Sequence, residues 1–94
     1  MWRIESNVDG YSKEENMVRM KDALLGLIGK IPEIKSMEVG INTNGSNTAY
    51  DVVLYSEFES EIDLSIYQKH PEHLKVGDLA KKIVTERAVV DYMV

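Results

Sequence analysis

The chain holds two histidines, and both lie in the stretch YQKHPEHLK, where His70 and His73 flank Pro71 and Glu72 and Tyr67 precedes His70 by three positions. An imidazole with an ordinary pKa near 6.5 can take up and release protons close to neutrality, and general acid–base catalysis needs a positioned group of that kind. A tyrosine beside it can orient a carbonyl or stabilise an enolate by donating a hydrogen bond. The same residues also read as a helix junction. A histidine before a proline can cap the carbonyls of a preceding helix and favour its negative end. Both readings stand for His70 and His73 on sequence alone.

Other chemistry is poorly supplied. His70, His73 and Glu72 could share a metal, but Pro71 interrupts the helix between them and no second cluster adds nitrogen or sulfur ligands, so no metal and no cofactor are expected. There is no cysteine, which excludes disulfides and thiolate catalysis. NTNGSN is polar and contains a glycine, yet it lacks the GK[ST] of a phosphate loop. No serine stands in a nucleophile-elbow context, and SEFESEID reads as a strand end followed by a helix cap. The strand tyrosines Tyr50, Tyr55 and Tyr92 are of the kind that usually serve packing.

Length and composition bound the rest. Ninety-four residues form one domain, residues 1–94. A chain this short buries only about 60–65% of its unfolded surface, so a partner that covers more would stabilise it. With 44% hydrophobic and 29% charged residues, two prolines and six glycines, the chain is globular rather than disordered. A net charge of −5, with the eleven basic residues scattered, argues against a nucleic-acid partner. No apolar run approaches the ~20 residues of a membrane span, and MWRIESNVDG lacks the apolar core of a signal peptide. A cytoplasmic protein with no membrane partner is the expectation.

Trp2 to Glu5 reads as a strand, and Asp9-Gly10 as a turn. Ser12 opens a helix, and Glu15 completes a capping box. Met17, Met20, Leu24, Leu27 and Ile28 form its apolar stripe, and Pro32 ends it. IKSMEVGINT alternates, with Met37, Val39 and Ile41 on one face. NGSN turns the chain into the strand AYDVVLYSEF. Ser60 caps a second helix, with Glu61 and Asp63 at its positive end. This helix carries Ile62, Ile66 and Tyr67 and runs to His70. Pro71 opens a further helix carrying Leu74, Val76, Leu79, Ile83 and Val84, and ERAVVDYMV reads as a closing strand. The order is β-α-β-β-α-β with the second helix broken: a ferredoxin-like α+β protomer, its antiparallel sheet covered by helices on one face.

The strands are apolar on both faces. Val52 and Leu54 alternate with Val53 and Tyr55; Ala88, Val90 and Tyr92 alternate with Val89 and Met93. An antiparallel sheet with one wet face shows cleaner alternation. The face without helices is therefore expected to pack on the sheet of an identical chain in a symmetric homodimer.

KIPEIKSMEVGIN, AYDVVLYSEFES, YQKHPEHLKV and RAVVDY together resemble the stress-responsive dimeric α/β-barrel family, Dabb, across nearly the whole chain. The resemblance implies a ferredoxin-like protomer whose sheet pairs with a second to close a barrel, with a pocket between sheet and helices. The family includes olivetolic acid cyclase, which closes a ring by an aldol reaction. Its Y-x-x-H-P-x-H pattern is matched by Tyr67, His70, Pro71 and His73. By resemblance, Tyr67 and His73 stand at the cyclase's catalytic pair and His70 at a histidine of lesser weight. The cyclase's pocket lining corresponds to Trp2, Val53, Tyr55, Val84 and Val89. Arg87 departs from the pattern, standing where the cyclase has an apolar residue. A charge facing an apolar cavity is costly unless paired; an anionic ligand or a nearby carboxylate such as Asp51 would pair it. The expected function is binding of a small apolar or carbonyl-containing ligand. The alternative is a cofactor-independent cyclase or isomerase in which His73 is the base and Tyr67 the donor.

Overall fold

The computed structural model describes residues 1–5, 7–43, 45–46 and 48–93. In order they form β1 (Trp2–Ile4), α1 (Lys13–Leu25), β2 (Ser36–Ile41), β3 (Val52–Glu57), α2 (Glu61–Lys69), α3 (Pro71–Ile83) and β4 (Val84–Arg87). The strands make one antiparallel sheet in the order β2-β3-β1-β4. This is the ferredoxin-like arrangement that the element order predicts. The expected NGSN turn includes Asn44 and Asn47, which lie outside the described residues.

Local chemistry sets the helix starts. The Glu15 backbone N–H donates to the Ser12 hydroxyl oxygen at 3.2 Å, and the Ser12 N–H donates to the Glu15 carboxylate at 3.0 Å. Two otherwise unpaired donors are thereby satisfied at the start of α1. Ser60 accepts from the Asp63 N–H at 3.2 Å and opens α2 in the same way. Along α1, Met17, Met20 and Leu24 are buried; Leu27 and Ile31 follow them into the core. Ile28 is exposed, because α1 closes at Leu25 and the turn beyond it rotates this side chain outward. The core is completed from the sheet by Ile4, Val39 and Val52 and from the last two helices by Tyr67, Val76 and Ile83. Ile62, Ile66 and Leu74 face solvent.

Register fixes the two faces of the sheet. Met37 pairs with Ser56, Val39 with Leu54 and Ile41 with Val52 on the helix side; Glu38 pairs with Tyr55 and Gly40 with Val53 on the outer side. Val52 is 1% exposed, whereas its outward neighbours Val53 and Tyr55 are 44% and 47% exposed. A side chain at position 40 would place its Cβ 3.1 Å from Val53 Cγ1, so glycine there leaves room for the valine opposite.

The end of the chain departs from expectation. Val84 is not the last turn of a helix but the first residue of β4, with extended backbone. The closing strand ends at Arg87 rather than running to the C-terminus. Its last backbone bonds join Ala88 and Met1, each N–H donating to the other's carbonyl at 2.9 Å. Val89, Val90, Tyr92 and Met93 are exposed outside the named strands.

Candidate functional site

The site grows from the junction of α2 and α3. Pro71 occupies the first turn of α3, where its missing N–H leaves no bond unmade. His70, held extended at φ −64° and ψ 137°, serves both as C-cap of α2 and N-cap of α3. Its own N–H donates to the Tyr67 carbonyl at 3.2 Å. Its Nδ1 accepts from the Glu72 N–H at 3.1 Å. The imidazole thus completes the positive end of α3 as a hydrogen-bond acceptor. Its ring caps α3 rather than the carbonyls of α2.

One turn to either side stand Tyr67 and His73. Their rings lie 4.5 Å apart between centroids, tilted by 56°, and Phe58 packs on Tyr67 with centroids 5.0 Å apart. Tyr67 is 5% exposed. Its hydroxyl and His73 Nδ1 are both buried without a hydrogen-bond partner. Buried polar groups in folded proteins nearly always have one. Burial pushes the Tyr67 phenol up to about 12, so it stays protonated and remains a donor. Burial also holds the His73 imidazole below its ordinary pKa; the Arg87 charge acts the same way, against a hydrogen bond to the Gln68 carbonyl that favours the charged form. At neutral pH the pair is therefore an uncharged phenol beside an uncharged imidazole.

Arg87 stands directly across the β1–β4 ladder from Trp2. Cross-strand partners share a face, and Trp2 packs against the core, so Arg87 projects on the helix side, where its charge acts on His73. Asp51 does not pair with it. One Asp51 carboxylate oxygen accepts from the Ile4 N–H at 2.8 Å and the other meets Lys13 Nζ at 3.2 Å.

The remaining pocket candidates divide by face. Trp2 and Val84 pack from the helix side on the core to which Tyr67 belongs. Val53 and Tyr55 lie on the outer side, so in a single chain they line no common cavity with Tyr67. Val89 is exposed beyond the sheet. The Tyr55 hydroxyl donates to Glu57 at 2.9 Å, and Glu57, with Tyr92, pushes the phenol up to about 12. Beside Val53 an outer groove of about 220 Å³ is lined by Met1, Gly40, Ile41 and Tyr50. Among the described residues, no group of three or more His, Cys, Asp or Glu is placed to hold a metal ion. Among the described residues, no helix is long and apolar enough to cross a membrane.

Sequence reasoning missed Phe58, which packs on the Tyr67 ring. Its signal was there: it is the only phenylalanine of the chain, placed just before the Ser60 cap, where a strand residue can fold under the following helix.

The whole chain, residues 1–94, matches the family model described as Stress responsive A/B Barrel Domain, Dabb. A solved structure from Bacteroides fragilis NCTC 9343, described as a dimeric protein of unknown function and ferredoxin-like fold, is 34% identical. The match covers 97% of this chain and 87% of that one, with a TM-score of 0.80. A dimeric ferredoxin-like protein of unknown function from Thermobifida fusca yx is 21% identical over 100% of this chain and 85% of that one, TM-score 0.83. A similarly described protein from Jannaschia sp. CCS1 is 20% identical over 92% and 94% of the two chains, TM-score 0.59. No curated protein matches.

Proposed function

This chain belongs to the stress responsive A/B barrel domain family, and from that premise we propose that it acts as a homodimeric protein that binds a small apolar or carbonyl-containing molecule. The observation that carries this reading is the pair of unpartnered buried polar atoms, Tyr67 Oη and His73 Nδ1, set against the Phe58 ring. Leaving such atoms unpaired costs about 1–3 kcal/mol each. A ligand with an oxygen function can meet them while its apolar body takes the aromatic surface. The homodimer rests on the outer sheet face, where Val53 and Tyr55 stand exposed and Val53 lines an apolar groove, and on the dimeric description of the 34%-identical relative. A cysteine-free chain suits a reducing compartment such as the cytoplasm. The net charge of −5 is unsuited to nucleic acid.

Native mass spectrometry of the purified protein tests both halves. The expected result is a dimer carrying an adduct that Tyr67→Phe and His73→Ala lose. A monomer overturns the assembly. A bare dimer that binds nothing across a broad small-molecule screen overturns the ligand reading.

A second reading is favoured by the protonation states. An uncharged His73 beside a protonated Tyr67 is a base paired with a hydrogen-bond donor, as cofactor-independent cyclisation or isomerisation of a carbonyl compound requires. In that case His73 takes the carbon-bound proton and Tyr67 donates to the carbonyl oxygen. His73→Ala then abolishes turnover and leaves the dimer intact; unchanged turnover removes His73 from the chemistry.

A further inference from the structure

From the position of Arg87 we infer that the molecule bound at Tyr67 and His73 is an acid: an apolar body carrying a carboxylate that pairs with the Arg87 guanidinium. The inference rests on the ligand site proposed above and adds the chemical class of its occupant.

Three observations carry it. Arg87 shares the helix side of the sheet with Trp2, its cross-strand partner, and its charge is felt at His73. The Arg87 guanidinium has no hydrogen bond or ion pair with any described residue. The carboxylate best placed by sequence to neutralise it, Asp51, is engaged by Lys13 and by the Ile4 N–H, and Glu86 pairs with Arg3 at 3.0 Å. The third is the pair of polar atoms already described. Tyr67, nineteen-twentieths buried, ends in a hydroxyl with no partner. A donor, an imidazole nitrogen and an exposed guanidinium thus stand on one side of the sheet. A neutral apolar ligand would satisfy the phenol at most and leave the arginine to water. A guanidinium presents a planar fork of N–H donors matched to the two oxygens of a carboxylate. No covalent step is involved; the inference concerns recognition.

The test uses acid and amide partners of the same shape: octanoate with octanamide, and 3-phenylpropanoate with 3-phenylpropanamide. Each is titrated into uniformly ¹⁵N-labelled protein at pH 7, and amide shifts around Tyr67, His73 and Arg87 are followed. The expected result is that one acid at least binds roughly tenfold more tightly than its amide, the scale of a charge-assisted hydrogen bond. In Arg87→Gln that preference falls close to unity, while Arg87→Lys keeps part of it. The acid's affinity also falls as salt rises. If acid and amide bind equally, and Tyr67→Phe weakens both while Arg87→Gln weakens neither, the carboxylate inference is overturned and the ligand site stands. If an acid binds but its shifts map elsewhere and survive Tyr67→Phe, the inference is overturned. If no probe moves these resonances, both the inference and the site reading beneath it fail.

Discussion

Tyr67→Phe separates a binding tyrosine from a packing one. The substitution keeps the ring, and with it the contacts to Phe58 at 5.0 Å and His73 at 4.5 Å, and removes only the hydroxyl. In the free protein that hydroxyl is buried and unpartnered, so its desolvation is not repaid by a hydrogen bond; such groups cost about 1–3 kcal/mol. Deleting it should therefore stabilise the fold by about 1 kcal/mol, the lower end of that range. For a domain of this size that corresponds to a rise in Tm of roughly 4–8 °C. The assay is urea unfolding followed by circular dichroism, with wild type and variant at one protein concentration, since the stability of a dimer depends on concentration. The same variant should bind ligand more weakly by about tenfold, the value of one hydrogen bond. Stabilisation together with lost binding marks a group held for a ligand. A loss of 1 kcal/mol or more on removing the hydroxyl would refute the reasoning, because it would mean that the phenol has a partner in the folded protein.

Other outcomes follow from the same geometry. His73 has its folded pKa lowered, by burial first and the Arg87 charge second, so the unfolded chain takes up the proton more readily. That contribution to stability is present above the unfolded pKa near 6.5 and is lost as pH falls below it toward the lower folded value. His73→Gln should flatten the dependence in this window, as read by urea midpoints from pH 7.5 to 5. His70→Ala removes the acceptor for the Glu72 N–H and should cost about 1 kcal/mol, while His70→Asn, a good N-cap, should recover most of it. Val53→Asp places a charge on the outer face at a position 44% exposed in the single chain. Sedimentation velocity should then show a folded monomer where wild type shows a dimer, and a persistent dimer would move the interface elsewhere.

Much of this protein was legible in one dimension, because much of it depends on near neighbours. The Ser12–Glu15 box, the Ser60 cap and the alternation of Val52 with Val53 each depend on residues within a turn or a pleat of one another. They gave the element order, and the order gave the ferredoxin-like sheet. YQKHPEHLK brought its residues together for the same reason, since Tyr67, His70 and His73 meet across one short helix junction. What sequence left open was decided by contacts between distant parts of the chain. Whether Asp51 would neutralise Arg87 depended on where Lys13 and the Ile4 N–H came to rest. The closing strand ended at Arg87, and the rung beyond it, Ala88 with Met1, joins residues 87 positions apart. His70 turned its ring toward α3 rather than α2, accepting from the Glu72 N–H. Hydrophobic period and capping are properties of a segment; the pairing of a charge, the end of a ladder and the loneliness of a buried hydroxyl are properties of what surrounds it, and only the folded chain supplies the surroundings.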